Sequence, residues 1–138
     1  MADNPFLSRS TLPAALPPFA DIRDEHYEPA FELGIREQRE AVERIVADPA
    51  PPTFANTLEA LELSGPVLDR VAAAFFTLAS AHATPFVRDL EERIAPKLAA
   101  HSDAIRLNGA LFARIDAVWG AREAVSYTHL TLPTNREV

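Results

Sequence analysis

The side chains best suited to hold a metal ion or move a proton near neutral pH are the four histidines, His26, His82, His101 and His129. A helical zinc site takes two imidazoles four residues apart with a glutamate between them, so that both rings reach one ion. No two of these histidines have that spacing. Glu25 and His26 are a neighbouring carboxylate and imidazole, but adjacent residues of a helix point in different directions and do not converge on a ligand. His82 and His101 fall near the ends of expected helices, where an imidazole is a surface group or a donor to a last-turn carbonyl.

Other chemistries fare no better. Cysteine is absent, which excludes disulfides and thiolate metal sites and suits a reducing compartment. The serines, Ser8, Ser10, Ser64, Ser80, Ser102 and Ser126, lack the glycine-flanked elbow that exposes a nucleophile, and the four glycines form no phosphate-cradling loop. The carboxylates lie in helical charge runs, which are solvated faces. No residue is therefore assigned a catalytic, cofactor-binding or metal-ligating role.

The elements that would position any such group are helical. A chain of 138 residues, 48% hydrophobic and 24% charged, has the size and apolar content of one folded domain. Residues 1–20 hold Pro5, Pro13, Pro17 and Pro18, which block helix and predict an extended arm packed on a helical body through Phe6, Leu7, Leu16 and Phe19. A first helix is expected from Asp24 to Ala47, with Pro29 tolerated in its first turns and Tyr27, Phe31, Ile35, Val42 and Ile45 inward. Arg36 with Glu40, Arg39 with Glu43 and Glu40 with Arg44 are spaced for ion pairs along its outer face.

Thr53 is placed to cap a second helix over 54–63, with Phe54, Leu58 and Leu61 inward. A third should run from Pro66 to Ala83 behind Leu68, Val71, Ala72, Phe75 and Leu78. Thr84-Pro85 opens a fourth carrying Val87, Leu90, Ile94 and Leu98, in which Pro96 should produce a kink or short break. Asn108 caps a fifth through Leu111, Phe112, Ile115, Val118 and Trp119. Short connections and no strand alternation make residues 21–124 an all-α antiparallel helical bundle.

The formal charge of −7 opposes binding to nucleic acid or to an anionic membrane surface. The opening residues lack a signal-peptide pattern and no stretch approaches a membrane span, so the plain expectation is a cytoplasmic protein.

Several phrases occur in a telling order: Leu16-Pro17-Pro18-Phe19, Ile22-Arg23-Asp24-Glu25-His26-Tyr27, Pro52-Thr53-Phe54-Ala55-Asn56-Thr57, then Leu61-Glu62-Leu63-Ser64-Gly65. Ala95-Pro96-Lys97-Leu98-Ala99-Ala100-His101 and Leu107-Asn108 with Leu111-Phe112 follow them. Across residues 4–124 this succession resembles the start of bacterial peptidyl-dipeptidases, also called dipeptidyl carboxypeptidases, in the thimet oligopeptidase and oligopeptidase A family of zinc metallopeptidases. The resemblance implies a larger two-lobed helical peptidase enclosing a channel. Its zinc would be held downstream by an H-E-x-x-H helix and a glutamate, with short peptides as substrates. It implies that the chain is the amino-terminal, channel-wall portion, that it binds no zinc itself, and that it is inactive alone.

From Ser126 onward alanine, frequent until Ala124, disappears and threonine replaces it. Ser126 to Asn135 resembles translated sequencing-adapter read-through, so 125–138 is expected to be a non-native tail. A different class of reading stands beside the peptidase one: a self-standing helical module that binds a protein partner without catalysis.

Overall fold

A computed structural model describes residues 4–122. The expected tail over 125–138, with His129, lies outside the described residues. The arm opens with two single 3-10 turns, Pro5–Leu7 and Pro13–Ala15. Where full extension was expected, Pro5 and Pro13 each start a turn, since their fixed φ suits the first helical position. Asn4 fastens the first turn from both sides: its Oδ1 accepts from the Phe6 amide at 3.1 Å and its Nδ2 donates to the His26 carbonyl at 2.8 Å. Arg70 Nε donates to the Phe6 carbonyl at 2.9 Å, and the Phe6 ring is buried. Leu16 and Phe19, expected to pack, are about half exposed. The second turn carries Ala14 and Ala15 at positive φ, 56° and 53°, where a Cβ costs about 1–2 kcal/mol per residue.

Five helical elements follow. α1 spans Asp24–Ala47, and a π-helical segment, Phe54–Glu59, runs into the short α2, Ala60–Glu62. α3 spans Pro66–Ala81, α4 Pro85–Arg106 and α5 Gly109–Gly120. In three of these elements the N-cap residue's own side chain caps the start. Thr53 Oγ1 accepts from the Asn56 amide at 3.1 Å while Asn56 Oδ1 accepts from the Thr53 amide at 2.7 Å, a reciprocal capping box. Thr84 and Asn108 accept from the amides of Val87 and Leu111 at 3.3 and 3.0 Å.

α1 is the spine against which α3, α4 and α5 all pack. Near its amino-terminal end the buried cluster contains Phe6, Tyr27, Phe31, Val71, Phe75, Val87, Leu90 and Ile94. The Phe75 ring meets Tyr27 and Phe31 edge-on, both at 5.4 Å between centroids, a favoured aromatic geometry. Near its other end Val42 and Ile45 join Leu111 in a second cluster, with Leu61, Ile105 and Ile115 packed around it. At Gly34 α1 and α3 approach closely: an added Cβ would stand 2.7 Å from the Leu68 amide nitrogen. Glycine is required there because α3's backbone occupies the space of a side chain.

Three local expectations need correction. In the second element Phe54 is 49% exposed and Thr57 is buried, because the wider π turn advances the buried side past the positions a 3.6-residue period selects. α4 continues through Pro96 without a break. Pro96 and Glu92 are both on the exposed side, where water can satisfy the carbonyl that the proline leaves free. The charged face of α1 forms its ion pairs across to α4 instead of along itself. Arg93 pairs with Glu28, and Lys97 Nζ lies 3.2 Å from Glu32 Oε1.

Candidate functional site

The expected histidines occupy three different environments. His26 lies in the first turn of α1, and its Nδ1 accepts from the Arg23 amide at 3.0 Å, so this ring caps its own helix. His82 is the exposed residue that ends α3. His101, expected near a helix end at the surface, is instead 5% exposed on the inner face of α4. It follows Ile94 by seven residues, two helical turns, and so falls on the same buried side.

Opposite it stands Gln38, at the matching position of α1 between Phe31 and Val42. A polar chain crosses the bundle here: His101 Nε2 is 2.7 Å from Gln38 Oε1, and Gln38 Nε2 donates to Ser64 Oγ at 3.2 Å. Ser64 Oγ donates to the Leu61 carbonyl at 2.6 Å. These bonds fix the protons. The serine proton is committed to Leu61, so Ser64 accepts from the amide nitrogen of Gln38. The amide oxygen therefore faces His101, which must carry its proton on Nε2. Nδ1 is then a buried acceptor without a hydrogen-bond partner among the described residues. Burial first, and the nearby Arg39 charge second, lower the His101 pKa below the ordinary imidazole value, so the neutral ring is favoured.

A serine, an amide and an imidazole in a row invite comparison with a nucleophile and its base, but the order is wrong. The imidazole and the hydroxyl never meet, the hydroxyl is buried and spent on a carbonyl, and no carboxylate orients the ring. The arrangement joins three elements between the two apolar clusters and fixes their register. Sequence reading passed over it, although the signal was present: Gln38 and His101 are polar residues at positions where the helical period demands apolar ones.

A second polar centre closes the far end. Arg114 of α5 donates from Nη1 to the Asp48 carbonyl at 2.9 Å, and from Nη2 to the Ala50 carbonyl at 3.4 Å and Asn56 Oδ1 at 3.3 Å. It thereby holds the proline-rich connector after α1 against the bundle. Beside it an open groove of about 660 Å³ runs between α1 and α2, lined by Glu37, Glu40, Arg44, Asp48 and Asn56. Histidine is not among the residues lining it.

Among the described residues no three histidine, aspartate or glutamate side chains lie together so as to hold a metal ion, and the residues present do not fit a zinc site. No helix among them is long and apolar enough to cross a membrane.

Comparison with curated proteins gives a consistent set of relatives. The chain is 48% identical over 125 residues to a dipeptidyl carboxypeptidase of Salmonella typhimurium, covering 91% of the chain and 18% of that protein. It is 44% identical over 122 residues to the dipeptidyl carboxypeptidase of Escherichia coli K12, covering 88% of the chain and 18% of the relative. Oligopeptidase A of the same organism is 36% identical over 99 residues, which is 72% of the chain and 14% of the relative. The chain thus spans less than a fifth of the length of these relatives. No family model matches it.

Proposed function

Since the chain belongs with dipeptidyl carboxypeptidase and oligopeptidase A in one family of zinc metallopeptidases, we propose that it is the amino-terminal, channel-wall portion of a parent peptidase that releases carboxy-terminal dipeptides from short peptides. The observation that carries this reading is the higher identity, over nearly the whole described bundle, to the proteins named dipeptidyl carboxypeptidase than to those named oligopeptidase A. The parent acts in the cytoplasm as a two-lobed helical enzyme, and its zinc centre belongs to sequence beyond this chain. Here the bundle is a wall: a rigid α1 spine, two apolar clusters and a polar crossing that hold the helices in register.

Residues 4–122 supply that wall, and 125–138 are foreign to it. The isolated chain is expected neither to cleave short peptides nor to retain stoichiometric zinc. Peptide turnover that a chelator abolishes, in a preparation free of host peptidases, would overturn the assignment of the catalytic centre to the missing portion. The reading as a whole is tested by long-read sequencing of the source gene across the Val125 codon. An open frame continuing to an H-E-x-x-H motif supports it. A genomic stop codon after Val138 removes the peptidase parent and leaves a self-standing helical binding module.

A further inference from the structure

α5 has two apolar sides, one buried in the bundle and the other largely exposed among the described residues. Leu111 packs inward with Val42 and Ile45, and Ile115 lies against the same cluster. The other side presents Phe112 and Trp119, 64% and 65% exposed, with the Arg122 guanidinium 4.2 Å over the Trp119 ring, and Leu107 just ahead of the helix is 83% exposed. Leu107 and Phe112 flank the Asn108 cap at the two positions where apolar side chains commonly staple a helix entry. Phe112 and Trp119 are seven residues apart, which places them about 10 Å from each other along one side of the helix. The three form a strip.

An aromatic side chain covers roughly 150–250 Å² when buried, so two of them with a leucine approach the largest apolar patch that a soluble surface ordinarily leaves open. Exposed Trp and Phe on a rigid helix have the composition of an interface centre.

The lengths of the relatives indicate what covers it. The matched region is 18% of each dipeptidyl carboxypeptidase, and α5 is the last described helix, ending at Gly120. Polypeptide continuing from α5 would be tethered beside the strip at an effective concentration on the order of millimolar, so even a modest apolar contact would be occupied. We infer that the strip formed by Leu107, Phe112 and Trp119 seats an apolar segment of the parent polypeptide lying carboxy-terminal to α5. This rests on the parent-peptidase reading above.

The test compares the 138-residue chain with the full-length parent. The chain has no cysteine, so Phe112→Cys and Trp119→Cys each place a unique thiol on the strip. Maleimide reaction at each site is read by peptide mass spectrometry and normalised to the urea-unfolded rate. Both thiols are expected to react about tenfold or more slowly in the parent than in the chain, the protection given by burial. Equal reactivity in a parent that still cleaves peptides in a chelator-sensitive way overturns the docking strip and leaves the peptidase reading intact. A fall in reactivity of the chain alone with rising concentration, together with a dimer in sedimentation, makes the occupant a second copy and also overturns it. A gene that ends at Val138 removes both. Hydroxyl-radical footprinting of the unsubstituted proteins avoids any folding defect of the variants. Protection of Phe112 and Trp119 in the parent is expected, and equal oxidation in both proteins would count against the strip.

Discussion

His101 Nε2 lies 2.7 Å from Gln38 Oε1, and this bond joins the carboxy-terminal part of α4 to α1 between two separate apolar clusters. Gln38→Leu removes the acceptor and leaves a buried imidazole N–H unpaired, an expected loss of about 1–3 kcal/mol in urea unfolding. Replacing both partners, Gln38→Leu with His101→Leu, should cost less than the sum of the two single changes. A double-mutant cycle with no coupling between them would show that the bond does not act as a unit.

Acid should weaken the fold through the same ring. The folded-state pKa of His101 is lowered, whereas in the unfolded chain it returns to about 6.5. Above that unfolded value both states are neutral and the full stability is present. As the pH falls below it the unfolded state takes up a proton that the folded state refuses, and stability drops until the lowered folded value is passed. Urea midpoints from pH 8 to pH 5 should therefore decline, and His101→Gln should flatten the decline. An unchanged slope in that variant would assign the effect elsewhere.

Gly34→Ala should destabilise the bundle even though alanine is the better helix former. The new methyl would meet the Leu68 amide nitrogen at 2.7 Å and its Cα at 2.8 Å, both backbone atoms that cannot step aside. Overpacking of about 1–3 kcal/mol outweighs a propensity gain of about 1 kcal/mol, so the thermal midpoint should fall. A rise in the midpoint would mean that α1 and α3 separate readily.

Two arginines that look alike on paper should behave differently. Arg114, whose side chain is 11% exposed, donates to two backbone carbonyls and Asn56, so Arg114→Ala should lower stability by about 1.5–3 kcal/mol. Arg114→Lys should restore little of it, because an ammonium lacks the planar fork that reaches separate acceptors. Arg93 is solvated, and Arg93→Ala should leave the urea midpoint nearly unchanged despite its pairing with Glu28 and Asp89. Equal losses for both alanine variants would contradict this division.

Much of the fold was legible because punctuation and period agree. Asp48-Pro49 ends α1, Thr84-Pro85 opens α4, and Asn108 caps α5, each with the hydrogen bond or steric stop that its residue types dictate. The exposed face of Phe54 was not legible, since a π turn leaves no mark in a pattern read at 3.6 residues. Nor were the partners of Glu28 and Glu32. Their ion pairs depend on which helix lies alongside α1, a tertiary fact that local spacing does not contain. His101 failed for a different reason: its nearness to a helix end outweighed its place on the Ile94 face, and the face decides burial.

The pairing of α1 with α4 and α5 also sets a timetable for synthesis. Lys97 reaches Glu32 across 65 residues, and Arg114 reaches Asp48 across 66. At roughly 5–20 residues per second a ribosome finishes α1 about 2.5–10 s before Lys97 and about 3–13 s before Arg114 is added. During that interval Tyr27 and Phe31 have the arm and α3 to turn to, and Val42 and Ile45 have α2. The growing chain thus passes through a stage in which α1 is complete and only part of its apolar face has its partners.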